Sequence, residues 1–325
     1  MKIVLIGSGN VATHLGAALI LQGGHEIVQV YSRRRANAQA LAERLNELQA
    51  GAPSAGDDGG DGGERGAPSA GEKTKISFID QLQEVDREAD FYFICVSDQA
   101  IGPVIEELHK LQAPPVLPTP STPSATAASG GEKGLNGIIV HTSGSTPLSI
   151  IADRFPARHG VLYPVQTFSK EKTVDFKQIP LALEASDAET FAVLEAVARG
   201  LSDRVFPCDS VQRQAIHVAA VFACNFTNYL YALGEEVLRK NGLEFDLIRP
   251  LILETAEKAM HHAPAAVQTG PAARKDFTIV QKHLEYLKEL EGAEHQAAPD
   301  SKGGAVHHKM AEIYRLLSEG ISGGR

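Results

Sequence analysis

Short apolar runs alternate with amphipathic stretches along the first 207 residues of the chain. Short runs rich in β-branched and aromatic residues predict strands, whereas apolar residues three or four positions apart predict helices. The predicted strands lie at residues 2–6, 26–31, 76–79, 90–96, 137–141, 159–163, 179–185 and 203–209. Helices are predicted after residue 10 through Leu21 and at 36–48, 101–111 and 187–201. This alternation predicts a parallel sheet that is covered by helices on both faces.

The pattern changes after residue 210, where every strong signal is helical. The predicted helices are 211–240, 246–262, 276–291 and 305–320. We therefore predict an α/β domain of the Rossmann type over residues 1–207, followed by an all-helical domain over residues 208–325.

Two stretches interrupt the α/β pattern. Residues 49–75 contain the hexapeptide GAPSAG twice around a Gly/Asp-rich centre, and residues 113–134 are rich in Pro, Ser, Thr, Ala and Gly. Neither stretch has enough apolar surface to offset the entropy lost on ordering. We predict that both are low-complexity surface insertions in the first domain.

Composition excludes several classes of protein. With 43% hydrophobic residues, a chain of 325 residues can bury a large core. A net charge of −9 argues against a nucleic-acid partner, because phosphate backbones attract positive surfaces. No apolar run looks long enough to span a bilayer, so we expect no membrane partner. The three cysteines are far apart, which predicts no disulfide framework or metal site and favours the cytoplasm.

The first predicted strand is followed by the pattern Gly-x-Gly-x-x-Ala, which is typical of a dinucleotide-binding turn. The first glycine permits a tight turn, and the second lets the backbone approach a pyrophosphate on the positive end of the next helix. A plain strand-to-helix turn of small residues is the alternative. The predicted cofactor contacts in the turn are Gly7, Ser8, Gly9, Asn10 and Val11.

The second predicted strand ends in Ser32, Arg33 and Arg34 with no acidic residue. A site for NAD usually has Asp or Glu here to bind the ribose 2′-hydroxyl, whereas arginine forks can neutralise a 2′-phosphate. Positive side chains are otherwise unfavourable at a helix start, although they could simply be solvated. We therefore predict NADP(H) as the cofactor.

Later strands are expected to add side chains at the same edge of the sheet, where open α/β sheets bind their ligands. Val96, Ser97 and Ser143 are predicted to line the cofactor, and Asp98 is predicted to cap the following helix. The alternative for Ser143 is a hydroxyl-rich turn without contact to a ligand.

Three further side chains are predicted to contact the substrate from these loops. They are Ser145, Tyr163 and Gln166. Pro164 fixes the chain between the last two, so a purely structural turn is an equally good interpretation.

The long apolar helix that begins near residue 211 carries polar side chains at intervals of four, seven and four residues. On a regular helix Arg213, His217, Cys224 and Asn228 would share one face, with Asn225 beside them. Buried polar groups are costly unless they are paired or used, so we predict a functional stripe. His217 would be the general acid or base, Asn225 and Asn228 would orient the substrate, and Arg213 would contact it. A core histidine or a dimer seam is the alternative.

A loop near residue 270 has a comparable polar character. Gly270 lies in a turn fixed by a proline, and Arg274 could hold a carboxylate through two hydrogen bonds. Asp276 is predicted to cap the next helix, with Arg274 as its possible partner.

Five segments together resemble a family of bacterial Rossmann-like oxidoreductases whose C-terminal helical domain has no assigned function. The segments are GSGNVATHL, HTSGSTPLSI, GVLYPVQTFSK, HVAAVFACNFTNYLYAL and QTGPAARKD. The family is similar to pyrroline-5-carboxylate reductase and, more distantly, to the 6-phosphogluconate and 3-hydroxyisobutyrate dehydrogenases. The resemblance implies a C-terminal domain like that of 6-phosphogluconate dehydrogenase.

The resemblance also implies a cofactor, a partner and a substrate class. NADP(H) would bind the turn at Gly7, with Ser32 and Arg33 at the 2′-phosphate. A homodimer would form through the helical part, and the substrate would lie in a cleft between the domains. Since QTGPAARKD occupies a place comparable to the carboxylate-binding loop of pyrroline-carboxylate reductases, the resemblance favours a small, carboxylate-bearing substrate.

Two hypotheses about function follow. The first is an NADP(H)-dependent oxidoreductase that transfers a hydride to or from a carbonyl, imine or alcohol, with a deazaflavin partner as a variant of the same class. The second is a sensor or interaction protein that binds NADP(H) without turnover. They differ in the predicted effect of His217→Ala, which abolishes turnover in the first and is tolerated in the second.

Overall fold

In a computed structural model of the protein, the structure describes residues 1–51, 75–112, 134–294 and 309–323. The two segments predicted to be insertions lie outside the described residues, apart from their first or last few positions. Residues 49–51 belong to the end of a helix.

The eight predicted strands are all observed, some of them shorter than predicted. They are β1 Lys2–Ile6, β2 Glu26–Tyr31, β3 Ser77–Ile79, β4 Phe91–Ile94, β5 Ile138–His141, β6 His159–Pro164, β7 Leu181–Ala185 and β8 Val205–Pro207. The helices of the α/β region are α1 Asn10–Leu21, α2 Arg35–Gly51, α3 Asp98–His109, α4 Ser149–Ala152 and α5 Ala188–Leu201. The later helices are α6 Ser210–Ala220, α7 Thr227–Lys240, α8 Arg249–His261, α9 Phe277–Glu294 and α10 Met310–Gly323.

The strands form one sheet in the order β3-β2-β1-β4-β5-β6-β7-β8. The order reverses between β1 and β4, so the loops after these two strands diverge and leave a crevice at the carboxyl ends of the strands. The pairings are parallel except for that of β6 with β7, which is antiparallel. The prediction of an entirely parallel sheet is wrong at this pair. The connection between β6 and β7 contains only a 3₁₀ turn, Phe176–Gln178, whereas the crossover between parallel strands is usually an α-helix.

Apolar side chains cover both faces of the sheet, as its parallel part requires. On one face, residues of α1, α2 and α5 such as Leu15, Leu45 and Leu194 pack in a fully buried core. On the other face, Ile101 of α3 and Ile151 of α4 are equally buried. The α/β Rossmann-type fold predicted from the sequence is therefore confirmed.

The chain divides into two compact units, Met1–Phe222 and Ala223–Arg325. The predicted boundary at residues 207 and 208 thus falls earlier in the chain than the division between the units. As a result α6, which carries His217, belongs to the α/β unit. The second unit has its own small core, which includes Leu233, Leu287 and Met310.

The helix that runs from Ser210 to Lys240 has a π-helical segment at Val221–Phe226. By length and composition alone this helix could cross a membrane, which differs from the expectation that no apolar run is long enough. Its apolar side chains are largely exposed in the single chain, with Val211 at 78% and Phe222 at 65%.

Candidate active site

The turn after β1 requires glycine at its first position. Gly7 has φ of +126°, a value that side chains strongly disfavour. A Cβ atom built on Gly7 would lie 2.3 Å from the carbonyl oxygen of Cys95, at the end of β4. The backbone of β1 and that of β4 therefore approach each other at the crevice only because position 7 has no side chain.

The space beside the second glycine of the turn, Gly9, is unoccupied by described residues. Gly9 precedes α1, has an ordinary φ of −81°, and provides no side chain to cap the helix. Among the described residues other than its chain neighbours, no atom lies within 4 Å of a Cβ built on Gly9, and the first turn of α1 contains no acidic residue. The uncapped helix start and the open space in front of it fit an anionic pyrophosphate.

A cavity of about 450 Å³ lies at the crevice. The ends of β1, β2 and β4 and one side of α3 form its walls. Seven of the predicted cofactor residues line it, namely Gly7, Ser8, Gly9, Ser32, Arg33, Val96 and Ser97. Asn10, Val11, Arg34 and Ser143 are not among the lining residues. The structure therefore brings most of the predicted nucleotide contacts together in one cavity.

The three arginines that follow β2, Arg33, Arg34 and Arg35, differ in their contacts. The Ser8 hydroxyl donates a 2.9 Å hydrogen bond to the Ser32 hydroxyl, which links the β1 turn to the end of β2. Arg35 forms an ion pair with Asp80 at 3.4 Å and lies over the ring of Phe78. Within the described part of the chain Arg33 and Arg34 form no ion pair, so both exposed guanidinium groups can bind a phosphate.

The Asn10 side chain holds a loop instead of facing the cavity. Its Nδ2 donates a 2.7 Å hydrogen bond to the carbonyl oxygen of Phe168. One turn later the ring of His14 stacks on Phe168 at 5.0 Å, and its Nε2 donates to the carbonyl oxygen of Ser169 at 2.9 Å. Residues 168 and 169 are thus tied to the first turns of α1. Sequence reasoning missed His14, and its only signal was a polar residue at a buried position of an apolar helix.

Two polar side chains bridge the ends of β4 and β5. The hydroxyl of Ser145 donates a 2.5 Å hydrogen bond to the carboxylate of Asp98. Ser97 is the residue that precedes α3, and its side chain makes no cap hydrogen bond. The prediction that Asp98 caps α3 is therefore wrong, because Asp98 lies in the first turn and binds Ser145.

The Ser143 hydroxyl is used inside the loop that follows β5. It accepts from the amides of Ser145 and Thr146 at 3.2 and 3.0 Å, and it donates to the Thr146 hydroxyl at 3.0 Å. Its one proton and its lone pairs are all occupied. This agrees with the alternative of a hydroxyl-rich turn, and the hydroxyl of Ser143 is not available to the cofactor.

His141 lies beneath the same loop and is fully buried. Its Nδ1 accepts a 3.2 Å hydrogen bond from the amide of Ser143. Burial is the main cause that lowers the pKa of His141 to about 3, and the positive charge of Arg213 lowers it further. The imidazole is therefore neutral throughout the physiological range and supports the loop.

Tyr163, His217 and Gly144 meet at the carboxyl edge of the sheet. The Tyr163 hydroxyl lies 3.3 Å from Nδ1 of His217, and the two rings are edge-on at a centroid distance of 6.2 Å. A Cβ built on Gly144 would lie 2.7 Å from the Tyr163 ring and 2.8 Å from His217 Nδ1. Three elements that are distant in sequence, β6, α6 and the β5 loop, thus place a titratable imidazole beside a phenol.

Arg213, which was predicted to contact the substrate, is instead buried and paired. Its guanidinium forms an ion pair with the carboxylate of Glu184 on β7 and has only 1% of its side-chain surface exposed. It also donates to the carbonyl oxygen of Thr146 at 2.7 Å and to the Ser210 hydroxyl at 3.2 Å. The substrate-binding prediction is wrong for Arg213 because its side chain is buried and both of its terminal nitrogens, Nη1 and Nη2, bind protein acceptors. Its observed role is to fix the start of α6.

A π-helical segment lies within the stretch of the long helix on which the polar stripe is predicted. A π-helix turns through fewer degrees per residue than an α-helix, so side chains after Val221–Phe226 are rotated relative to a regular helix. Cys224, Asn225 and Asn228 are all exposed, whereas Arg213 is buried, so the side chains predicted for the stripe differ in their surroundings along the helix.

Asn228 lies in a groove of the second unit, of about 450 Å³. Tyr231 and Glu235 follow it along α7, and Arg249 of α8 lies on the other wall. The groove combines an amide, a phenol and both charge signs, a set able to orient a polar ligand.

Of the remaining predicted substrate residues, Gln166 and Arg274 are exposed and Gly270 is half-buried. The Gln166 side chain accepts from the amide of Thr167 at 2.9 Å. In the second unit, Gly270 has φ of +103°, which favours glycine, and the Arg274 side chain is exposed. Asp276 accepts from the amide of Ile279 at 3.2 Å, so its predicted cap on α9 is confirmed. No ion pair joins Arg274 to Asp276 in the described ranges.

The fold and the crevice define a dinucleotide-binding α/β protein, and family models agree. Residues 2–117 match the family described as NADP oxidoreductase, coenzyme F420-dependent, and residues 179–321 match a domain of unknown function, DUF2520. No curated protein matches the chain.

Solved structures cover both regions together. The chain is 35% identical to a Bacteroides fragilis protein assigned as an NADP oxidoreductase, with a TM-score of 0.73 over 99% of this chain and 98% of that chain. It is 19% identical to a Thermotoga maritima protein, with a TM-score of 0.57 over 99% of this chain and 100% of that one. An imine reductase from Myxococcus stipitatus, solved with NADP⁺, is 13% identical, with a TM-score of 0.58 over 100% of this chain and 95% of that one.

The chain belongs to the family of NADP oxidoreductases in which a Rossmann domain precedes DUF2520. The predicted family and the predicted cofactor, NADP(H), are thereby confirmed. Which residues contact the cofactor and the substrate stays a prediction.

Proposed function

We propose that the protein is an NADP(H)-dependent oxidoreductase that transfers a hydride between nicotinamide C4 and a small, carboxylate-bearing carbonyl, imine or alcohol. The observation that carries the proposal is the pair His217 and Tyr163, which lies at the same edge of the sheet as the glycine turn. A titratable group and a nucleotide cavity along one edge are the two requirements of hydride transfer coupled to proton transfer.

The cofactor would be held by the β1 turn and the end of β2. Gly9 leaves room for the pyrophosphate at the start of α1, and Arg33 and Arg34 neutralise a 2′-phosphate. When bound, NADPH supplies the hydride. The protein's own contribution is to position the ring and to handle the proton.

His217 would be the group that exchanges the proton. In the reductive direction the substrate carbon gains the hydride with its electron pair, the π electrons move to the oxygen or nitrogen, and that atom takes a proton from protonated His217. In the oxidative direction neutral His217 takes the proton back. The half-buried imidazole keeps one ring nitrogen hydrogen-bonded to Tyr163, so the other remains for the substrate.

The substrate would be oriented by the polar side chains that the sequence predicts for this role. Asn225 and Asn228 present exposed amides, and the exposed guanidinium of Arg274 can bind a carboxylate through two hydrogen bonds. Ser145 and Gln166 complete the candidate set. Since the imine reductase shares the fold, cyclic imines with a carboxylate are the first substrates to test.

The test is a turnover assay with NADPH and a panel of cyclic imino acids and 2-oxo acids, in parallel with NADPH titrations. Wild-type protein is expected to oxidise NADPH with at least one compound. His217→Ala should bind NADPH as the wild type does and lose turnover by about 100-fold or more. His283→Ala, in the second unit, is the matched control and should keep full activity.

Two outcomes would overturn the proposal. If wild-type protein binds NADPH tightly and turns over no compound in either direction, including a deazaflavin, the alternative of an NADP(H)-binding sensor is favoured. If His217→Ala retains turnover, the proton is exchanged elsewhere.

We also propose that the protein is a cytoplasmic homodimer that forms through its helical part. Large apolar side chains are exposed on several helices of the single chain, including Phe222 at 65%, Leu251 at 64% and Met260 at 81%. Large apolar side chains exposed in this number usually mark an interface. Sedimentation should give twice the chain mass, and Phe222→Glu with Leu251→Glu should shift it to the monomer, whereas a monomeric wild type would contradict the proposal.

A further inference from the structure

The position of α6 is fixed by polar contacts before the helix reaches His217. Asp209 and Gln212 form a reciprocal capping box at its start. The Ser210 hydroxyl accepts from the amide of Leu148 at 3.0 Å and donates to Glu184 at 2.8 Å. Together with the buried guanidinium of Arg213, these contacts attach the first turn of α6 to β7 and to the β5 loop. The place of the His217 ring is therefore set by the scaffold.

The ring has a defined partner on one nitrogen. Tyr163 is 8% exposed and lies one residue before the end of β6, so its phenol is held by the sheet. Its oxygen is 3.3 Å from Nδ1 of His217, and Nδ1 has no other hydrogen-bond partner among the described residues. Gly144 packs against both rings, since a Cβ there would lie 2.7–2.9 Å from their atoms.

A histidine that exchanges protons through Nε2 needs its Nδ1 to keep a proton. In the neutral ring only one nitrogen is protonated, and the hydrogen bond made by the other side of the ring decides which one it is. If Nδ1–H donates to Tyr163, Nε2 presents a lone pair in the neutral ring and an N–H in the protonated ring. Both states are required for the two directions of the reaction.

We propose that Tyr163 is a positioning residue whose oxygen accepts the Nδ1–H of His217, so that Nε2 is the atom that exchanges the substrate proton. This inference rests on the proposed function, because it assigns the working nitrogen of the proposed acid or base. It replaces the expectation that Tyr163 binds the substrate directly. Gly144 contributes to the same arrangement, because the absence of a side chain at position 144 leaves room for the rings of Tyr163 and His217.

The test measures the tautomer of His217 by ¹⁵N NMR, at a pH well above the range in which imidazoles ionise. The His217 signals are assigned by their loss in His217→Gln. Wild-type protein is expected to carry the neutral proton on Nδ1, and Tyr163→Phe should move it predominantly to Nε2. Tyr314→Phe is the matched control, because Tyr314 lies 2.7 Å from Nδ1 of His283 and its removal should leave His217 unchanged.

A proton on Nε2 in the wild type, or a tautomer that Tyr163→Phe leaves unchanged, would overturn the inference. Gly144→Ala keeps both partners and is expected to lose the Nδ1–H signature by displacing the rings.

A kinetic measurement separates positioning from substrate binding. With any substrate found in the panel, Tyr163→Phe should lower kcat by about tenfold and leave KM within about twofold, because the phenol acts through His217. A raised KM with unchanged kcat would instead mean that Tyr163 binds the substrate. The NMR measurement of the tautomer does not require turnover. The inference about Tyr163 can therefore be contradicted while the proposed oxidoreductase function is supported, and the proposed function can be contradicted while the tautomer is as expected.

Discussion

Arg213 of α6 and Glu184 of β7 form a buried ion pair one helical turn before His217. Two more acceptors, the Thr146 carbonyl and the Ser210 hydroxyl, bind the same guanidinium. The pair therefore connects the last strands of the sheet to the helix that carries the proposed acid or base.

Glu184→Gln is expected to lower the free energy of unfolding by about 3–5 kcal/mol, because it leaves the Arg213 charge buried without a counterion. Urea denaturation measures this change. Glu195→Gln is the control, since Glu195 pairs with Arg199 on the surface of α5, and it should cost no more than about 0.5 kcal/mol. Equal effects of the two substitutions would mean that the buried pair does not fix α6.

The two glycines of the β1 turn should respond differently to alanine. Gly7→Ala is expected to destabilise the protein by at least about 2 kcal/mol, because φ is +126° and the new Cβ would meet the carbonyl of Cys95. Gly9→Ala should change stability by less than about 0.5 kcal/mol, since its φ is ordinary and its Cβ would face open space.

Affinity for NADPH gives the complementary result. Gly9→Ala should weaken the binding of NADPH at least about tenfold, a loss of roughly 1.4 kcal/mol in binding free energy, because the methyl group occupies the space left for the pyrophosphate. Thermal unfolding and fluorescence titration check the two halves. A stable Gly9→Ala protein with unchanged affinity would place the phosphates elsewhere.

Cofactor preference should depend on two of the three arginines. Arg33→Ala with Arg34→Ala is expected to reduce the preference for NADPH over NADH by about tenfold or more, roughly 1.4 kcal/mol, because the 2′-phosphate loses its positive partners. Arg35→Ala should leave the preference unchanged, since Arg35 is bound to Asp80 and Phe78. Titration of each protein with both nucleotides measures the ratio, and a ratio that follows Arg35 would reverse the assignment.

Stability should fall in acid partly because of His141. Its pKa is about 3 in the folded protein and about 6.5 when exposed, so the unfolded chain binds the extra proton between these values. The free energy of unfolding should therefore decrease as the pH falls from 6.5 toward 3, by up to about 1.4 kcal/mol per pH unit from this residue.

His141→Asn retains an acceptor for the Ser143 amide but has no group that titrates in this range. Urea denaturation at pH values between 5 and 7 should show a shallower dependence in the variant, a slope difference that rests on the linkage of proton binding to folding. Burial also lowers the pKa values of His25 and His159, so some dependence should remain. Identical slopes would show that His141 accepts a proton without unfolding.

The sequence could predict the fold because its signals are local. The alternation of apolar runs and amphipathic stretches predicted the eight strands, and the glycine pattern predicted the turn at Gly7. The absence of an acidic residue after Tyr31 indicated NADP(H) as the cofactor. The antiparallel β7 was missed because the direction of a strand depends on its connection, which here lacks a crossover helix.

The site was less predictable, because its geometry depends on contacts between distant segments. The spacing of Arg213 and Asn228 predicted one face of a regular helix, and no local pattern predicted the π-helical segment that lies between them. Gly144 looked like an ordinary loop glycine, and its importance comes from rings that β6 and α6 bring to it.

The strand order also sets the distance between the two ends of the proposed ligand site along the sheet edge. Four strand spacings separate β2, which leads to Arg33, from β6, which ends beside Tyr163, and at about 4.8 Å each they amount to roughly 19 Å. A mononucleotide can occupy only one end of such an edge. Fragments that carry the phosphate or the nicotinamide alone should therefore bind weakly and independently, and only the joined molecule gains the effective concentration that a covalent link provides.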